Sequence, residues 1–188
     1  MRPSNRRDFI RKTGLFSSLC LGGINITYSK SIFLRKSTAA IVRENEGDVW
    51  YIGNKRKAQV NIKISKRAGC NPEMSLLSEK IAAGDAIPVH KHLNEEEFIF
   101  IQKGEVEITL DNFIETGKAG DLIYVPRATW HGFKNSSKEE VIILFGYTPS
   151  GFEDYFRAIG TKEIDKNLGF TSEDWIRTNK KFGVIYKD

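Results

Sequence analysis

Apolar residues recur in short runs between residues 48 and 148, and several of these runs alternate with polar residues at a period of two. Val60, Ile62 and Ile64 alternate in this way. A period of two places one face of a strand in a core and the other face towards water. The pattern therefore predicts strands in eight segments, which read DVWYIG, AQVNIKIS, MSLLSEKI, EEFIFIQKG, EVEITLD, DLIYVP, HGFKN and EVIILFGY.

Turn-forming residues separate the eight segments at near-regular spacing, as at Gly84-Asp85 and Lys103-Gly104. Many short strands joined by such turns predict an all-β sandwich or closed barrel. No internal repeat of the length found in solenoid proteins is visible in the sequence. We place the barrel at residues 45–149, and the 188-residue length fits one such domain with short extensions.

The pattern changes in residues 150–188, where it becomes that of two short helices. A cap-like Thr171 or Ser172 opens the segment TSEDWIRTNKKFG, which carries acids in its first turn and lysines near its end, as the helix dipole favours. We expect a helical extension that packs on the barrel through aromatic side chains. The first helix is predicted from apolar residues at helical spacing and a glycine stop, namely Phe152, Tyr155, Phe156, Ile159 and Gly160.

The net charge of +5 is located at the N-terminus. Residues 1–30 carry a net charge of +5, whereas residues 31–188 carry 23 basic and 23 acidic side chains. A domain without net positive charge lacks the basic surface that binds the phosphate groups of nucleic acids. The charge distribution therefore argues against a nucleic-acid partner.

Residues 1–35 have the features of an export signal. The pair Arg6-Arg7 in the run RRDFIR resembles the twin-arginine motif. An uncharged stretch from Thr13 to Ser29 follows, and it is too short and too polar for a firm membrane span. We therefore expect a periplasmic or otherwise exported protein with no stable membrane span in the mature chain. The alternative is a frayed basic tail.

The chain contains three histidines, and all three stand at the ends of predicted strands near turns. His90 and His92 lie two residues apart in a segment that should be extended after Pro88, so both side chains point to the same face. His131 follows another strand and a proline-containing turn. Together with an acid within reach, this placement favours a metal site over scattered surface or core histidines.

The first stretch around these histidines resembles the first signature of the cupin superfamily. That signature joins a glycine, a His-x-His pair, a glutamate and a second glycine at fixed spacing. The chain has Gly84, then His90 and His92, then Glu97, and then Gly104, with five, four and six residues in the three intervals.

The second stretch resembles the second cupin signature, which runs from a glycine through Pro-x-Gly to a histidine and an asparagine. Gly120, Pro126, His131 and Asn135 occupy the matching positions. One departure is Ala128, which stands where the superfamily has glycine. If that turn needs a positive φ, alanine there costs of order 1 kcal/mol.

The resemblance covers about residues 48–160 and implies a jelly roll, the double-stranded β-helix, in which two packed sheets form a small β-barrel. It also implies that His90, His92, Glu97 and His131 bind one divalent metal ion inside the barrel. Imidazole and carboxylate ligands together suit iron, manganese, nickel, copper or zinc. Four protein ligands leave positions on an octahedral ion for a substrate.

Glu97 is the preferred ligand among three consecutive glutamates. It keeps the six-residue spacing to Gly104. It is also in phase with Ile99 and Ile101, so it should face inward on its strand. Glu96 is the alternative if a shorter spacing applies.

The flanking segments resemble small cupins grouped with quercetin dioxygenases. This implies, as a first hypothesis, a metal-dependent dioxygenase that acts on a small aromatic or phenolic substrate, with Glu97 as the general base. A non-redox metal-dependent isomerase and a non-catalytic small-molecule-binding protein stay open, because the fold hosts many functions. A homodimer is also compatible with the sequence.

Aromatic residues near the predicted metal site are the candidates for a substrate pocket. An apolar pocket beside a metal suits an aromatic or phenolic substrate. We expect part of this set to be ordinary packing residues. The candidates are Phe98, Phe100, Trp130, Phe133, Phe145 and Tyr147.

Overall fold

Two antiparallel sheets account for most of the structure, a computed structural model that describes residues 39–52, 58–66, 73–164, 166 and 168–187. The predicted all-β jelly roll with two short C-terminal helices is confirmed. The strands are β1 (Asp48–Ile52), β2 (Ala58–Ile64), β3 (Ser75–Ile81), β4 (Ala86–His92), β5 (Glu96–Lys103), β6 (Glu105–Leu110), β7 (Phe113–Lys118), β8 (Leu122–Val125), β9 (His131–Lys134), β10 (Val141–Thr148) and β11 (Val184–Tyr186).

The strands are divided between a six-stranded and a five-stranded sheet. The first has the order β1-β2-β3-β10-β5-β8 and the second has the order β11-β4-β9-β6-β7. Strands that are neighbours in a sheet are often far apart in sequence, as β3 and β10 are. Consecutive strands β4 and β5 lie in different sheets, so the residues of the His-x-His segment and Glu97 reach the interior from opposite sides.

The core lies between the inner faces of the two sheets. On β5, Ile99 and Ile101 are fully buried, and on β3 the same is true of Leu77 and Ile81. Ile99 and Ile101 are two positions apart and Leu77 and Ile81 are four positions apart, and both spacings are multiples of the two-residue period that keeps one face of a strand in the core. The alternation in the sequence therefore identified the inward face correctly.

Three strands of the structure, β4, β7 and β11, were not among the eight predicted segments. The strand β4 begins at Ala86, before the predicted extended segment. The strand β7 was missed because most of its residues are exposed and it lacks an alternating pattern. The three-residue strand β11 was missed because it follows a helix directly and is too short for a periodic pattern.

The first C-terminal helix, α1 (Glu153–Ile159), packs on the barrel as predicted. Its residues Tyr155 and Ile159 are buried in the core, as is Phe152 just before it, while Phe156 packs against that core. The glycine at position 160 follows the helix as its C-cap. The aromatic residues of this segment therefore serve to close one side of the barrel.

The second helix, α2 (Ser172–Phe182), has the predicted end signals. Thr171 accepts a hydrogen bond from the Asp174 amide, and the Asp174 side chain accepts one from the Thr171 amide, which forms a capping box. Gly183 ends the helix with a φ of 67°. Trp175 is partly buried against the core, so α2 lies along the barrel rather than inside it.

The proposed signal at residues 1–35 lies outside the described residues. Within the described ranges, no helix is long and apolar enough to cross a membrane. Export, the domain boundaries at 45–149 and 150–188, and the homodimer stay predictions.

Candidate metal centre

Four residues from two sheets converge on one point in the barrel. His90 and His92 lie on β4, and His131 opens the neighbouring strand β9, where it is the direct register partner of His90. Glu97 projects from β5 in the opposite sheet. All four are buried, and one potential ligand atom from each lies within 4.8 Å of the others. The structure therefore brings together the four residues that the resemblance implied.

The strand phase distinguishes the two candidate glutamates. Glu97 is 5% exposed and shares the inner face of β5 with Ile99 and Ile101. Glu96 is partly exposed and has the opposite phase. A strand alternates its side chains between two faces, so Glu96 cannot reach the cluster without a register change.

Hydrogen bonds to the backbone fix the orientation of two imidazoles. The Nδ1 atom of His90 lies 2.7 Å from the carbonyl oxygen of Pro88, and that of His131 lies 3.0 Å from the carbonyl oxygen of Thr129. A carbonyl oxygen only accepts, so each Nδ1 carries a proton. The Nε2 atom of each ring is then available as a ligand, as in metal sites where a backbone carbonyl fixes the tautomer.

Glu97 lies against the other two imidazoles. Its Oε2 atom is 2.8 Å from His131 Nε2 and 3.3 Å from His92 Nε2. Burial raises the pKa of Glu97, but the hydrogen bond with His131 and the charges of His131 and His92 outweigh it and hold the pKa well below the usual range. The carboxylate is therefore ionised at neutral pH.

Electrostatics keep His90 neutral. Burial, followed by the neighbouring charges of His131 and His92, lowers the pKa of His90 to about 3. Burial lowers the pKa of His131 too, but the Glu97 carboxylate more than offsets this and raises it. A neutral imidazole and an ionised carboxylate are the forms in which these groups bind metals.

The cluster fits a divalent transition metal because it leaves ligand atoms in the barrel without partners. Both ring nitrogens of His92 are buried and make no hydrogen bond to any described residue. A buried polar atom of this kind is costly unless something satisfies it. An ion bound by the three imidazoles and the carboxylate would satisfy one of the two His92 nitrogens, and this mixed donor set suits first-row transition metals.

A cavity of about 660 Å³ opens from the cluster. Three of the six candidate pocket residues, Phe133, Phe145 and Tyr147, line it. Burial raises the pKa of Tyr147 well above the usual range, and the carboxylates of Glu97 and Glu79 raise it further. The tyrosine is therefore a neutral hydroxyl next to the metal ligands.

The other three candidates lie away from the cavity, which corrects the predicted pocket. Phe98 and Phe100 alternate with Glu97 on β5, so the period that turns the glutamate inward turns both rings outward. Phe98 covers Gly146 there, because a Cβ on Gly146 would lie 2.3 Å from its ring. Trp130 lies beneath the Lys91 ammonium, which is 4.5 Å from its ring centroid.

Sequence reasoning missed cavity residues that come from distant segments. Tyr186 on β11 pairs with His90 across the sheet, and the centroids of the two rings are 5.5 Å apart. Trp175 from α2 also lines the cavity, as does Glu79 from β3. Of these residues, only Glu79 could have been identified from the sequence as a cavity residue, because it is a charged residue at an inward position between Leu77 and Ile81.

The turn before His131 has the positive φ that was considered when Ala128 was found in place of the glycine of the cupin signature. Ala128 has a φ of 62°, which is unfavourable for a residue with a Cβ atom. Its amide donates a hydrogen bond of 2.7 Å to the carbonyl oxygen of His92. The strained turn is thereby attached to the strand that carries two of the candidate metal ligands.

Comparison with known families finds one match in the central part of this chain. The family model described as the cupin domain matches residues 77–147, which include all four residues of the metal cluster. Among solved structures, KdgF from a Halomonas species has a TM-score of 0.52 at 18% identity, and it covers 62% of this chain and 99% of its own. A predicted oxalate decarboxylase from Thermotoga maritima has a TM-score of 0.52 at 23% identity, with 58% and 99% covered. These likenesses establish the cupin fold.

Sequence similarity to curated proteins extends over only part of this chain. An uncharacterized protein of Methanocaldococcus jannaschii is 35% identical over 44% of this chain and 66% of its own. Quercetin 2,3-dioxygenase of Bacillus subtilis is 29% identical over 59% of this chain and 31% of its own. A germin-like protein of Arabidopsis thaliana, subfamily 2 member 4, is 29% identical over 78% of this chain and 75% of its own. The chain thus spans less than two thirds of the length of the first two relatives.

Proposed function

We propose that this cupin is a metal-dependent dioxygenase that acts on a small aromatic or phenolic substrate. The observation that carries the proposal is the buried three-histidine, one-glutamate cluster at the end of a large aromatic-lined cavity. The similarity to a quercetin 2,3-dioxygenase supports the same reaction class. Iron, manganese, nickel and copper are the candidate metals with redox chemistry.

The cavity walls favour a flat aromatic ligand. Phe145 and Phe156 contact each other at a centroid distance of 5.9 Å, and Phe133 lines the cavity from the opposite sheet. Aromatic walls stabilise a flat ring through burial and edge-to-face contacts. They also keep bulk water away from the metal ligands, which strengthens the electrostatic interactions there.

Glu97 is the residue that we assign as general base. When bound, the metal supplies a Lewis acid that makes a coordinated phenolic hydroxyl more acidic. The carboxylate of Glu97 is buried beside the ligand nitrogens and is ionised, so it can accept the hydroxyl proton. In the metal-free protein its proton affinity is low because His131 donates a hydrogen bond to it and His92 lies beside it. An imidazole whose Nε2 atom binds a metal no longer makes that donation.

The test combines metal analysis with oxygen uptake. The protein is purified from its own compartment for elemental analysis, and preparations loaded separately with iron, manganese, nickel and copper are screened for oxygen uptake on a phenolic panel that includes quercetin. Metal-dependent uptake with at least one phenol is the expected result, and the metal-free protein is the control. Zinc as the native metal without uptake would favour a non-redox enzyme, and binding without turnover would favour a non-catalytic cupin.

We also propose that the protein is exported by the twin-arginine route. The support is the RRDFIR run and the uncharged stretch after it. Changing Arg6 and Arg7 to lysine should leave the protein in the cytoplasm, as measured by cell fractionation. Continued appearance in the periplasmic fraction would point to another route or to another role for this segment.

A further inference from the structure

A chain of hydrogen bonds joins three C-terminal elements at the cavity. Tyr186 on β11, Tyr155 on α1 and Asn179 on α2 all line the cavity. The hydroxyl oxygens of Tyr155 and Tyr186 lie 3.1 Å apart, and the Tyr155 oxygen lies 3.0 Å from Oδ1 of Asn179. The chain therefore ends at a side-chain amide in the cavity wall.

The hydrogen bonds of this chain run in one direction. Because an amide oxygen only accepts, the hydroxyl of Tyr155 donates its proton to Asn179. A phenol has one hydroxyl proton, so Tyr155 accepts in its contact with Tyr186, and Tyr186 is the donor there. Protons thus point from Tyr186 to Tyr155 and from Tyr155 to Asn179.

This direction fixes the orientation of the Asn179 amide. A carboxamide has an acceptor oxygen and a donor nitrogen of nearly the same size, so a half turn exchanges one for the other. Tyr155 is 3% exposed and its ring is stacked on that of Phe152, with centroids 5.1 Å apart, so its hydroxyl group is held in place. With Oδ1 bonded to Tyr155, the group that Asn179 offers to a ligand is the Nδ2 donor.

The oriented amide lies on the same side of the cavity as the metal cluster. Tyr186, the first member of the chain, pairs with His90, and the centroids of their rings are 5.5 Å apart. Phe170 and Trp175 line the cavity beside Asn179, and their ring centroids are 5.2 Å apart. A flat ligand that extends from the metal along this side therefore meets an aromatic wall that contains an oriented donor.

We propose that Asn179 is a specificity-determining residue that donates a hydrogen bond from Nδ2 to an acceptor oxygen on the substrate, and that Tyr155 is the positioning residue that orients it. The inference rests on the proposed function, because it assumes that the substrate binds the metal through another oxygen. The substrate class is an aromatic molecule with a metal-binding oxygen and a second, acceptor-only oxygen such as a carbonyl. A donor group at the second position would face the Nδ2 hydrogens and bind more weakly.

The experiment uses zinc-loaded protein, in which binding occurs without redox turnover, and three probes built on 3-hydroxyflavone. The probes carry an acetyl, an isopropenyl or an amino group on the phenyl ring, at the 3′ position in one series and at the 4′ position in another. Acetyl and isopropenyl have the same shape, but only acetyl accepts a hydrogen bond, and the amino group mainly donates.

The wild-type protein should prefer the acceptor probe. In at least one series, calorimetry should show the acetyl probe bound about fivefold or more tightly than the isopropenyl probe, since one hydrogen bond distinguishes them. The amino probe should bind no more tightly than the isopropenyl probe. This order identifies the group in the cavity wall as a donor.

Two variants assign the preference to the oriented amide. Asn179→Asp keeps the oxygen that accepts from Tyr155 and replaces the donor nitrogen by an acceptor, so the amino probe should now bind about fivefold or more tightly than the acetyl probe. Tyr155→Phe removes the proton that orients the amide, so the affinities for these two probes should differ by about twofold or less. Both variants should retain the wild-type metal content. A purely structural role would change the affinities for all probes in parallel.

Lys180→Gln, at the adjacent exposed position, is the control and should keep the wild-type preference. Equal affinities for the acetyl and isopropenyl probes in both series, no binding of any probe, or an acetyl preference that survives in Asn179→Asp would overturn the assignment. Failure of the proposed function gives a different result. A preference that reverses in Asn179→Asp, without oxygen uptake by any metal-loaded wild type, would retain Asn179 and reject the dioxygenase. Oxygen uptake with a preference unchanged in Asn179→Asp would do the reverse.

Discussion

The Nε2 atom of His131 lies 2.8 Å from Oε2 of Glu97, and this contact joins the two sheets at the metal cluster. His131 belongs to the five-stranded sheet and Glu97 to the six-stranded sheet. A metal ion shared by both residues would therefore hold the sheets together as well as support chemistry. Ligand binding to the native state stabilises it by mass action, so metal removal should lower the unfolding temperature.

Glu97→Gln should separate the two roles of this glutamate. The amide keeps an oxygen that can bind metal but cannot act as a base near neutral pH, so metal binding should weaken modestly while turnover falls at least about a hundredfold. Glu96→Gln is the matched control and should be nearly silent. Metal content and turnover are measured for both variants. If Glu96→Gln is the damaging change, the ligand is Glu96.

Ala128→Gly should stabilise the protein by about 1 kcal/mol, because glycine adopts the φ of 62° without the clash that a Cβ atom creates. Urea unfolding measures the gain. Ala119→Gly is the control: this turn residue does not have a positive φ, so glycine there should give no gain. Equal effects at the two positions would show that the turn at Ala128 is not strained.

Asn135→Ala should destabilise the protein by about 3 kcal/mol. The Asn135 side-chain amide donates to the carbonyl oxygens of Ile81, Ala82 and Glu139, and its oxygen accepts from the Ser137 amide. Removal leaves buried backbone groups unsatisfied, so the last residue of the second signature has a structural role.

The control for Asn135 is its exposed neighbour, Ser136→Ala, which should change the free energy of unfolding by less than about 0.5 kcal/mol. Both variants are compared by urea unfolding. Similar stability of the two would contradict the structural role.

Tyr155→Phe should reduce the loss of stability in alkaline solution. Burial, then the neighbouring Tyr186, raises the pKa of Tyr155 above the value of about 10 that it has in the unfolded chain. A group with a raised folded pKa stabilises the protein below its unfolded pKa, and this contribution is lost as pH rises above about 10. The wild type should therefore lose more free energy of unfolding than the variant between about pH 9 and pH 11.

The measurement is urea unfolding at several pH values across that window. Loss of the 3.0 Å hydrogen bond from Tyr155 to Asn179 lowers the free energy of unfolding of the variant by a similar amount at every pH. The quantity to compare is therefore the slope of the free energy of unfolding against pH in the two proteins. Parallel curves for the two proteins would show that Tyr155 ionises as easily in the folded state as in the unfolded state.

The inward faces of the cluster residues were predictable from strand periodicity, whereas their convergence on one point was implied by the resemblance to the cupin signatures. His92 lies two positions after His90, and Ile99 and Ile101 lie an even number of positions after Glu97, so strand periodicity alone determines their faces. The same rule applied to Phe98 would have turned it away from the cavity.

The far end of the cavity was not predictable, because long-range pairing creates it. Glu79 reaches the cavity through the pairing of β3 with β10, whose sequence lies some sixty residues later. Tyr186 reaches His90 through the pairing of β11 with β4. The three residues of β11 are too few to show a periodic pattern in the sequence, so this pairing could not be predicted. Periodicity gives the face of a strand but not its partner, so the extent and polarity of the cavity needed the structure.

The most direct test of the account is the metal content of purified His92→Ala. Among the described residues, neither buried ring nitrogen of His92 has a hydrogen bond, and a metal ion shared with His90, Glu97 and His131 would bind one of them. The variant should hold at least about tenfold less metal than the wild type by elemental analysis. Lys91→Ala, one residue away and on the other face of β4, should retain the wild-type content. Full metal occupancy in His92→Ala would contradict the four-ligand centre.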